Sequence, residues 1–375
     1  MDGLSLPFGL VEEILYRTPV ESLVRFKATC KGWNALISSD TRFMHNHLDR
    51  HSSERFIRID DDRAVQFMDP VTGIHSETPI PDEFHHPFPV SCMVHCDGLM
   101  LCRCEDWENL ENVRLAVWNP LLRKIKLIQP LVCYWKRDCF GIGYDKASRD
   151  NYKVLRFGYN LCLPRGESYR DYEIYEFKSD SWRGIEAKFD ADVLMEWECV
   201  SVKGNMYWIA ATEERYIILC FDFSLETFKE ICACPPFWKS SKRLECYSGD
   251  RLSFLTQDGK KSRNIMVWVT DKLSDEVVLF TNYFNVTTTP YLPRLQFHTR
   301  PGYFIGKHGY IMAWCEREGV VQGDDKLYSF FTLYEIGHEG RVRKEIVTGT
   351  RGLDDFSGLS ICSCVYLPSL IPVPE

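Results

Sequence analysis

The 375-residue sequence contains no long apolar run and no long run of lysine and arginine. A membrane-spanning helix needs roughly 20 mostly apolar residues, and the best apolar segment, 216–223, is strand-sized and includes Asp222. Lys and Arg number 45 against 53 Asp and Glu, for a net charge of -8. A protein that grips nucleic acid through phosphate contacts is expected to show a basic cluster. The sequence therefore predicts neither a membrane nor a nucleic acid as a partner.

Cysteine is too sparse for a disulfide scaffold, with 16 residues spread over the whole chain, because such scaffolds are short and cysteine-dense. The start, MDGLSLPFGL, lacks the basic and apolar stretches of a secretory signal peptide. We expect reduced thiols and a protein of the cytoplasm, the nucleus or both.

Motifs that carry known chemistry are missing as well, among them Gly-x-Ser-x-Gly, the P-loop, His-Glu-x-x-His and the dinucleotide fingerprint. Three Cys-x-Cys pairs occur, but zinc sites usually show Cys-x2-4-Cys with matching partners, so buried strand positions are the preferred interpretation. The histidines are expected to be solvated or to cap helices, and the triple aspartate to form a charged turn. These residues are Cys102/Cys104, Cys232/Cys234, Cys362/Cys364, His45, His47, His85, His86 and Asp60 to Asp62. No catalytic residue, metal or cofactor is assigned.

The first fifty residues show a helical period. Apolar residues recur at spacings of three and four from Leu6 to Leu48. Pro7 and Pro19 are predicted at first helical positions, and Thr18 with Glu21 is predicted to form a capping box. A third helix is predicted over 29–37, and Ser39-Asp40 is expected to cap a short fourth one. So small a unit rarely buries enough surface to be stable alone, so we expect it to lean on another surface and to use part of its apolar surface as an interface.

From Arg55 onward the period changes to two, which is typical of strands. Turn signals recur in CMVHCDGLMLC, CVSVKGNMYWIA, ECYSGDRLSFL and YFIGKHGYIMAW, and each is followed by a second predicted strand pair. Four-stranded units repeating roughly every 50 residues indicate a β-propeller, here of about six blades. The segment SICSCVYLPSL is predicted to close the ring against the first unit. A pair of sandwiches or an irregular barrel is the alternative.

Two parts of the sequence resemble a known protein family. LPFGLVEEILYRTPVESLVRFKATCKGWNALISS is similar to the F-box in its Leu-Pro start, its Glu-Ile-Leu, its Pro-Val, its Leu-x-x-Phe and its Cys-Lys-x-Trp. VWNPLLRKI, FGIGYD, YKVLRF and YEIYEF resemble the kelch-like F-box-associated domain of plant F-box proteins. The predicted domains are a small all-α F-box of three to four helices at 1–48 and a large all-β domain at 55–375. One departure is Gly9, where the family commonly has an acidic residue.

The resemblance implies a non-catalytic substrate receptor of an SCF-type ubiquitin ligase. The F-box would dock on a SKP-type adaptor, which bridges to cullin and RING subunits, and the β domain would hold an unidentified target protein for ubiquitination. The motif positions carried over as adaptor contacts are Leu6, Pro7, Leu10, Ile14, Leu15, Pro19, Val20, Leu23, Cys30 and Trp33. Each of them could instead fill the helical core.

Aromatic and basic residues in predicted loops are candidates for target binding, because loops on a rigid scaffold commonly carry recognition. They are Phe237, Trp238, Arg243, Tyr291 and Phe297. Tryptophans on predicted strands, such as Trp118, Trp208, Trp268 and Trp314, are expected in the core. Two other functions stay open: an F-box scaffold acting outside a ligase, and an enzyme on a propeller scaffold.

Overall fold

The computed structural model describes residues 7–51, 53–60, 64–106, 112–129, 134, 138–160, 169–187, 194–237, 242–257, 264–286, 302–306, 308–320, 327–337, 340–352 and 362–375. Four helices precede an all-β region. They are α1 (Phe8–Tyr16), α2 (Val20–Phe26), α3 (Lys31–Ser39) and α4 (Thr41–His51). None of the helices in these ranges is long and apolar enough to cross a membrane.

The helix starts differ from the sequence predictions in detail. Pro7 and Pro19 are the N-cap residues of α1 and α2, one position before the predicted one. The predicted capping box is wrong, because the Thr18 hydroxyl donates a hydrogen bond back to the Ile14 carbonyl (2.9 Å) and so finishes α1. The cap of α4 is confirmed, since the Phe43 amide donates to Asp40 Oδ1 at 2.9 Å.

Twenty-four strands follow in the described ranges. The first twelve are β1 (Arg55–Asp60), β2 (Ala64–Met68), β3 (His75–Pro79), β4 (Val90–Cys96), β5 (Leu99–Glu105), β6 (Val113–Asn119), β7 (Lys124–Ile128), β8 (Cys139–Asp145), β9 (Ser148–Asn160), β10 (Tyr169–Glu176), β11 (Ser181–Gly184) and β12 (Leu194–Val202). The others are β13 (Asn205–Ala211), β14 (Tyr216–Asp222), β15 (Thr227–Ala233), β16 (Lys242–Tyr247), β17 (Arg251–Gln257), β18 (Ile265–Thr270), β19 (Phe280–Val286), β20 (Gly302–Ile305), β21 (Ile311–Val320), β22 (Leu327–Ile336), β23 (Val342–Gly352) and β24 (Cys362–Tyr366). A 3-10 turn, Asp82–Phe84, separates β3 from β4.

These strands form six four-stranded sheets, which we number as blades 1 to 6. Blade 1 has the order β24-β1-β2-β3, and the other blades take four consecutive strands each. The inner strands β24, β4, β8, β12, β16 and β20 contact one another in a closed ring. The protein is therefore a helical unit followed by a six-bladed propeller, as the sequence predicts.

The ring closes through the C-terminus. β24 pairs antiparallel with β1, with Ile57 opposite Cys364, so the two ends of the β region share one blade. The predicted closing strand is confirmed. A blade made from both ends of the chain removes the open sheet edge that would otherwise interrupt the ring.

The predicted hairpin turns have the expected backbone. Asp97 and Gly98 have φ values of 53° and 88°, and Lys203 and Gly204 have 49° and 77°. Positive φ at both central residues is the signature of the type I′ turn, whose twist matches that of paired strands. Asp-Gly and Lys-Gly therefore predict these turns correctly.

Strand tryptophans pack between the blades. Trp118, Trp208 and Trp314 are 3%, 1% and 2% exposed, and Trp208 of blade 4 meets Phe157 of blade 3 edge to face at 5.3 Å. Trp268 is half-buried against the blade 4 and 5 core. The sequence predicts core positions for all four tryptophans. Trp118, Trp208 and Trp314 are buried, and Trp268 is partly buried.

In blades 2 to 6 the turns that join the two inner strands lie on one face of the propeller. We call it the helix face, because Arg149 links Asp97 in the β4–β5 turn to Asp49 of α4 there. Strand connections within a blade alternate between faces, so the segments that link one blade to the next start on the opposite face, the far face. The helical unit shares one hydrophobic core with the propeller: Leu15, Leu23 and Phe43 belong to the same cluster as Leu99 and Tyr152. The small unit leans on a larger surface, as its size predicts.

Candidate functional site

Helix α1 leaves large apolar side chains in solvent. Phe8 is 64% exposed, Leu10 53% and Ile14 54%. Leu10 and Ile14 are four residues apart and lie on one side of the helix, and Pro7 at the N-cap is exposed too. We call Pro7, Phe8, Leu10 and Ile14 the α1 surface. Exposed apolar patches are typical of interaction sites, which makes the α1 surface the candidate interface.

Three predicted adaptor contacts lie inside the helical unit instead. Leu15, Val20 and Leu23 are 1%, 7% and 0% exposed and belong to the core shared with the propeller. The chain itself covers these side chains and leaves them little surface for a partner, and adaptor contact by them stays a prediction. Their role is to hold α1 and α2 in place beneath the α1 surface.

The remaining predicted adaptor contacts differ in their exposure to solvent. Pro19 and Cys30 are exposed, and Trp33 is half-buried with its ring 5.6 Å from that of Phe26. Cys30 is the N-cap of α3, and its Sγ accepts a hydrogen bond from the Trp33 amide at 3.4 Å. Leu6 lies outside the described residues. Adaptor contact by the exposed members stays a prediction.

Phe8 has the highest exposure on α1 and is missed by the sequence analysis. Its place directly after Leu6 and Pro7 is the signal that could have selected it. Periodicity alone does not, because at the start of a helix an apolar residue can point to core or solvent equally well.

A charged bridge fastens the helical unit to the propeller. The Arg149 guanidinium, on β9, donates to both Asp49 carboxylate oxygens of α4 at 2.8 and 3.0 Å and to Asp97 Oδ2 in the β4–β5 turn at 2.8 Å. The Tyr152 hydroxyl also donates to Asp97 Oδ2, at 3.2 Å. Burial alone would lower the pKa of Arg149, but the hydrogen bonds to Asp49 and Asp97 outweigh it and raise the pKa. The Arg149 guanidinium therefore stays protonated over the physiological pH range.

His47 contributes to the same unit in a way that the sequence does not predict. It is 2% exposed, and its Nε2 lies 2.9 Å from the Thr18 carbonyl oxygen. The expected solvated or capping role is wrong for this residue, because α4 continues to His51 and turns His47 inward.

The C-terminal segment after β24 runs through the junction. The Asn119 Nδ2 donates to the Ser369 and Ile371 carbonyl oxygens at 3.2 and 2.6 Å. His95 Nε2 accepts from the Leu367 amide at 3.2 Å, and desolvation lowers the pKa of His95 to about 4, so the ring is a neutral acceptor. Leu370 and Ile371 enter the shared core. The tail thus completes the surface on which the helices rest.

The predicted target-binding residues that are described belong to the far face. Phe237 follows β15, and Arg243 lies near the start of β16, at strand ends opposite the β12–β13 and β16–β17 turns. Phe237 packs edge to face on Tyr216 at 4.7 Å, and Arg243 Nε donates to Glu245 Oε1 at 3.1 Å. Trp238, Tyr291 and Phe297 lie outside the described residues. Target binding by these residues stays a prediction.

Several of the cysteines and histidines singled out in the sequence lie in the described ranges. Cys102 and Cys104 are buried on one face of β5, and burial raises the pKa of the Cys104 thiol to about 12. Cys232 is buried and Cys234 half-buried, whereas the side chain of Cys362 is outside the described set. No group of three metal-ligating side chains occurs among the residues that the structure describes. His85 and His86 are exposed, and residues 61–63 are outside the described part.

Comparison with known proteins places this architecture in a family. Residues 4–45 match the F-box domain, and residues 43–373 match the F-box associated beta propeller domain. The chain belongs to the F-box proteins that carry this propeller, which confirms the resemblance seen in the sequence.

Its relatives include an F-box only protein of Arabidopsis thaliana, 57% identical over 99% of this chain and 98% of that protein. F-box/WD-40 repeat-containing protein 1 of the same plant is 38% identical over 99% of this chain and 89% of its own length. Among solved structures, oligogalacturonate lyase from Vibrio parahaemolyticus has a TM-score of 0.43 at 9% identity, over 70% of this chain and 71% of that one. That level of likeness carries no argument about function.

Proposed function

We propose that this chain is the substrate-recognition subunit of an SCF-type ubiquitin ligase, acting in the cytoplasm, the nucleus or both. The α1 surface docks on a SKP-type adaptor, which bridges to cullin and RING subunits. The propeller holds a target protein for ubiquitination and performs no chemistry itself. The observation that carries the proposal is the exposed apolar α1 surface on an F-box.

The division of the helical unit supports docking through α1. Its interior is filled by Leu15, Leu23, Ile37 and Phe43, all 1% exposed or less, so Leu10 and Ile14 are not required by the core. Aliphatic and aromatic anchors at the centre of a patch supply most of the affinity of such interfaces.

The two-faced arrangement supports a receptor role. The helical unit occupies one face of the propeller, and the predicted target residues Phe237 and Arg243 belong to the other, so two partners can bind at once. Holding a target beside a ligase raises the effective concentration of its lysines near the loaded enzyme.

The test of docking is a binding titration of the purified full chain with a SKP-type adaptor. Leu10→Ser with Ile14→Ser should weaken binding by about tenfold or more, because each lost anchor typically costs over 1 kcal/mol. Leu225→Ser is the matched control, since Leu225 is 73% exposed in the β14–β15 turn of the propeller. Unchanged adaptor affinity in the double variant, with native circular dichroism, would count against the assignment.

Reconstitution separates a ligase subunit from a scaffold. With adaptor, cullin, RING subunit and charged E2 present, the wild-type chain should support ubiquitin transfer to itself or to co-purified proteins, and the α1 double variant should not. Adaptor binding without any transfer would favour the scaffold instead.

A further inference from the structure

A groove of about 720 Å³ separates blade 1 from blade 2 beside α2. It is lined by Phe67, Trp118 and Tyr366 and flanked by Pro79, Pro81, Pro120 and Pro368. Its volume falls in the range of about 300 to 1,000 Å³ that is usual for ligand pockets. No residue of the α1 surface lines it, so the groove is distinct from the proposed adaptor site.

The walls of the groove are preformed. Phe67 and Tyr366 pack with ring centroids 6.0 Å apart, and Trp118 meets Phe84 edge to face at 5.5 Å. Prolines fix the backbone on both sides, because their φ angle is locked. A rigid groove avoids much of the ordering cost that a flexible site would incur on binding.

The groove carries an excess of negative charge. Four acidic residues line it against two basic ones: Glu21, Asp69, Asp82 and Glu83 against Arg55 and Arg123. Arg55 is engaged by Asp69 at 3.3 Å. Within the described ranges, no salt bridge engages Glu21, Asp82 or Glu83, and their side chains are exposed. Arg123 is exposed as well and has no salt bridge within the described ranges, so three acidic side chains face one basic one and the net unmatched charge is acidic.

We call Phe67, Trp118 and Tyr366 the aromatic floor of the groove, and Glu21, Asp82 and Glu83 its acidic mouth. Together they are complementary to one side-chain chemistry. A guanidinium is planar, binds carboxylates through two parallel hydrogen bonds and stacks on aromatic faces. An ammonium group matches the charge but not the plane. Phe67 is the half-buried member of the floor and offers a ring surface beside the carboxylates.

We propose that this groove binds an arginine-bearing peptide segment of a partner protein. Arginine side chains would pair with Glu21, Asp82 and Glu83 while their planes rest on the aromatic floor. The partner would then contact both the F-box, through Glu21, and the propeller.

The proposal is tested on the full chain by fluorescence anisotropy with a labelled peptide of alternating glycine and arginine. Matching lysine and glutamate peptides serve as comparison probes. Asp82→Lys with Glu83→Lys should weaken binding of the arginine peptide by about tenfold or more. Asp275→Lys with Glu276→Lys is the control, because both residues are exposed in the β18–β19 connection and the change in net charge is identical.

A second variant tests the floor. Phe67→Leu keeps an apolar side chain but removes the ring. It should weaken binding of the arginine peptide by about threefold or more, and binding of the lysine peptide by less. Equal losses in the two charge variants, equal affinity for the lysine peptide, or no binding of the arginine peptide would each overturn the proposal. Adaptor affinity of the groove variants should stay at the wild-type value, which separates this result from the adaptor test.

Discussion

Single residues at the junction show how closely the tail is held. Gly98 ends a type I′ turn with φ of 88°, and a Cβ at this position would overlap the Ser369 side chain and come within 2.9 Å of the Leu367 carbonyl oxygen. Gly249 holds the same place in the β16–β17 turn, with φ of 74°, yet a Cβ there meets nothing within 4 Å. The two glycines therefore share a backbone requirement and differ only in the space around them.

This pair of glycines yields a prediction at the scale of one residue. Gly249→Ala should lower the free energy of unfolding by about 1 kcal/mol, which is the cost of positive φ for alanine. Gly98→Ala should lower it by about 1 to 3 kcal/mol more, because the tail must move. Urea unfolding of both variants measures the difference. Equal losses would mean that the tail does not press on the β4–β5 turn.

The C-terminal tail is the element that joins helices and blades, and truncation tests it. A chain ending after Ile371 keeps Ser369, Leu370 and Ile371, which are 1%, 2% and 3% exposed. A chain ending after Pro368 loses them but keeps β24 and the closed ring. The shorter chain should lose about 3 to 6 kcal/mol of stability, since burying each aliphatic side chain is worth about 1.5 to 3 kcal/mol.

Thermal unfolding of the two truncated chains against the full one gives the measurement. The chain ending after Ile371 should differ little from the full chain, because the residues that it lacks are largely exposed or half-buried. A similar midpoint for both truncations would contradict the role given to the tail.

The elements differ in how far the sequence predicts them. Asp97 with Gly98 and Lys203 with Gly204 mark hairpins because the turn chemistry is local. The local sequence does not reveal which side of α1 faces inward, because Leu15 packs in a core that is completed by Leu370 and Ile371 from the other end of the chain. That is why the motif resemblance assigns Leu15, Val20 and Leu23 to the interface although they are buried. The groove likewise depends on how blades 1 and 2 are placed relative to each other, which the periodicity of the sequence does not predict.

At the scale of the whole molecule, the helical unit and the propeller meet through an apolar core and through the Arg149 bridge to Asp49 and Asp97. Asp49, Asp97 and Arg149 come from a helix, a turn and a strand that are far apart in sequence. Their side chains are 55%, 16% and 24% exposed, so the Arg149 to Asp97 contact is the better shielded half. If the chain bridges a target and a ligase as proposed, this junction fixes the angle between the two partners.

Removing the bridge should loosen the junction without unfolding the blades. Arg149→Ala breaks the hydrogen bonds to both carboxylates and leaves Asp49 and Asp97 facing each other, at a cost of about 1 to 3 kcal/mol. Hydrogen exchange should therefore quicken in α4 and in the β4–β5 turn, while the strands of blade 5, far from the bridge, keep their protection. Arg215→Ala is the matched control, because it removes an exposed pair with Glu230 at 2.8 Å, and exposed pairs contribute little. Unchanged exchange in α4 of the Arg149 variant would show that the apolar core alone holds the helices on the propeller.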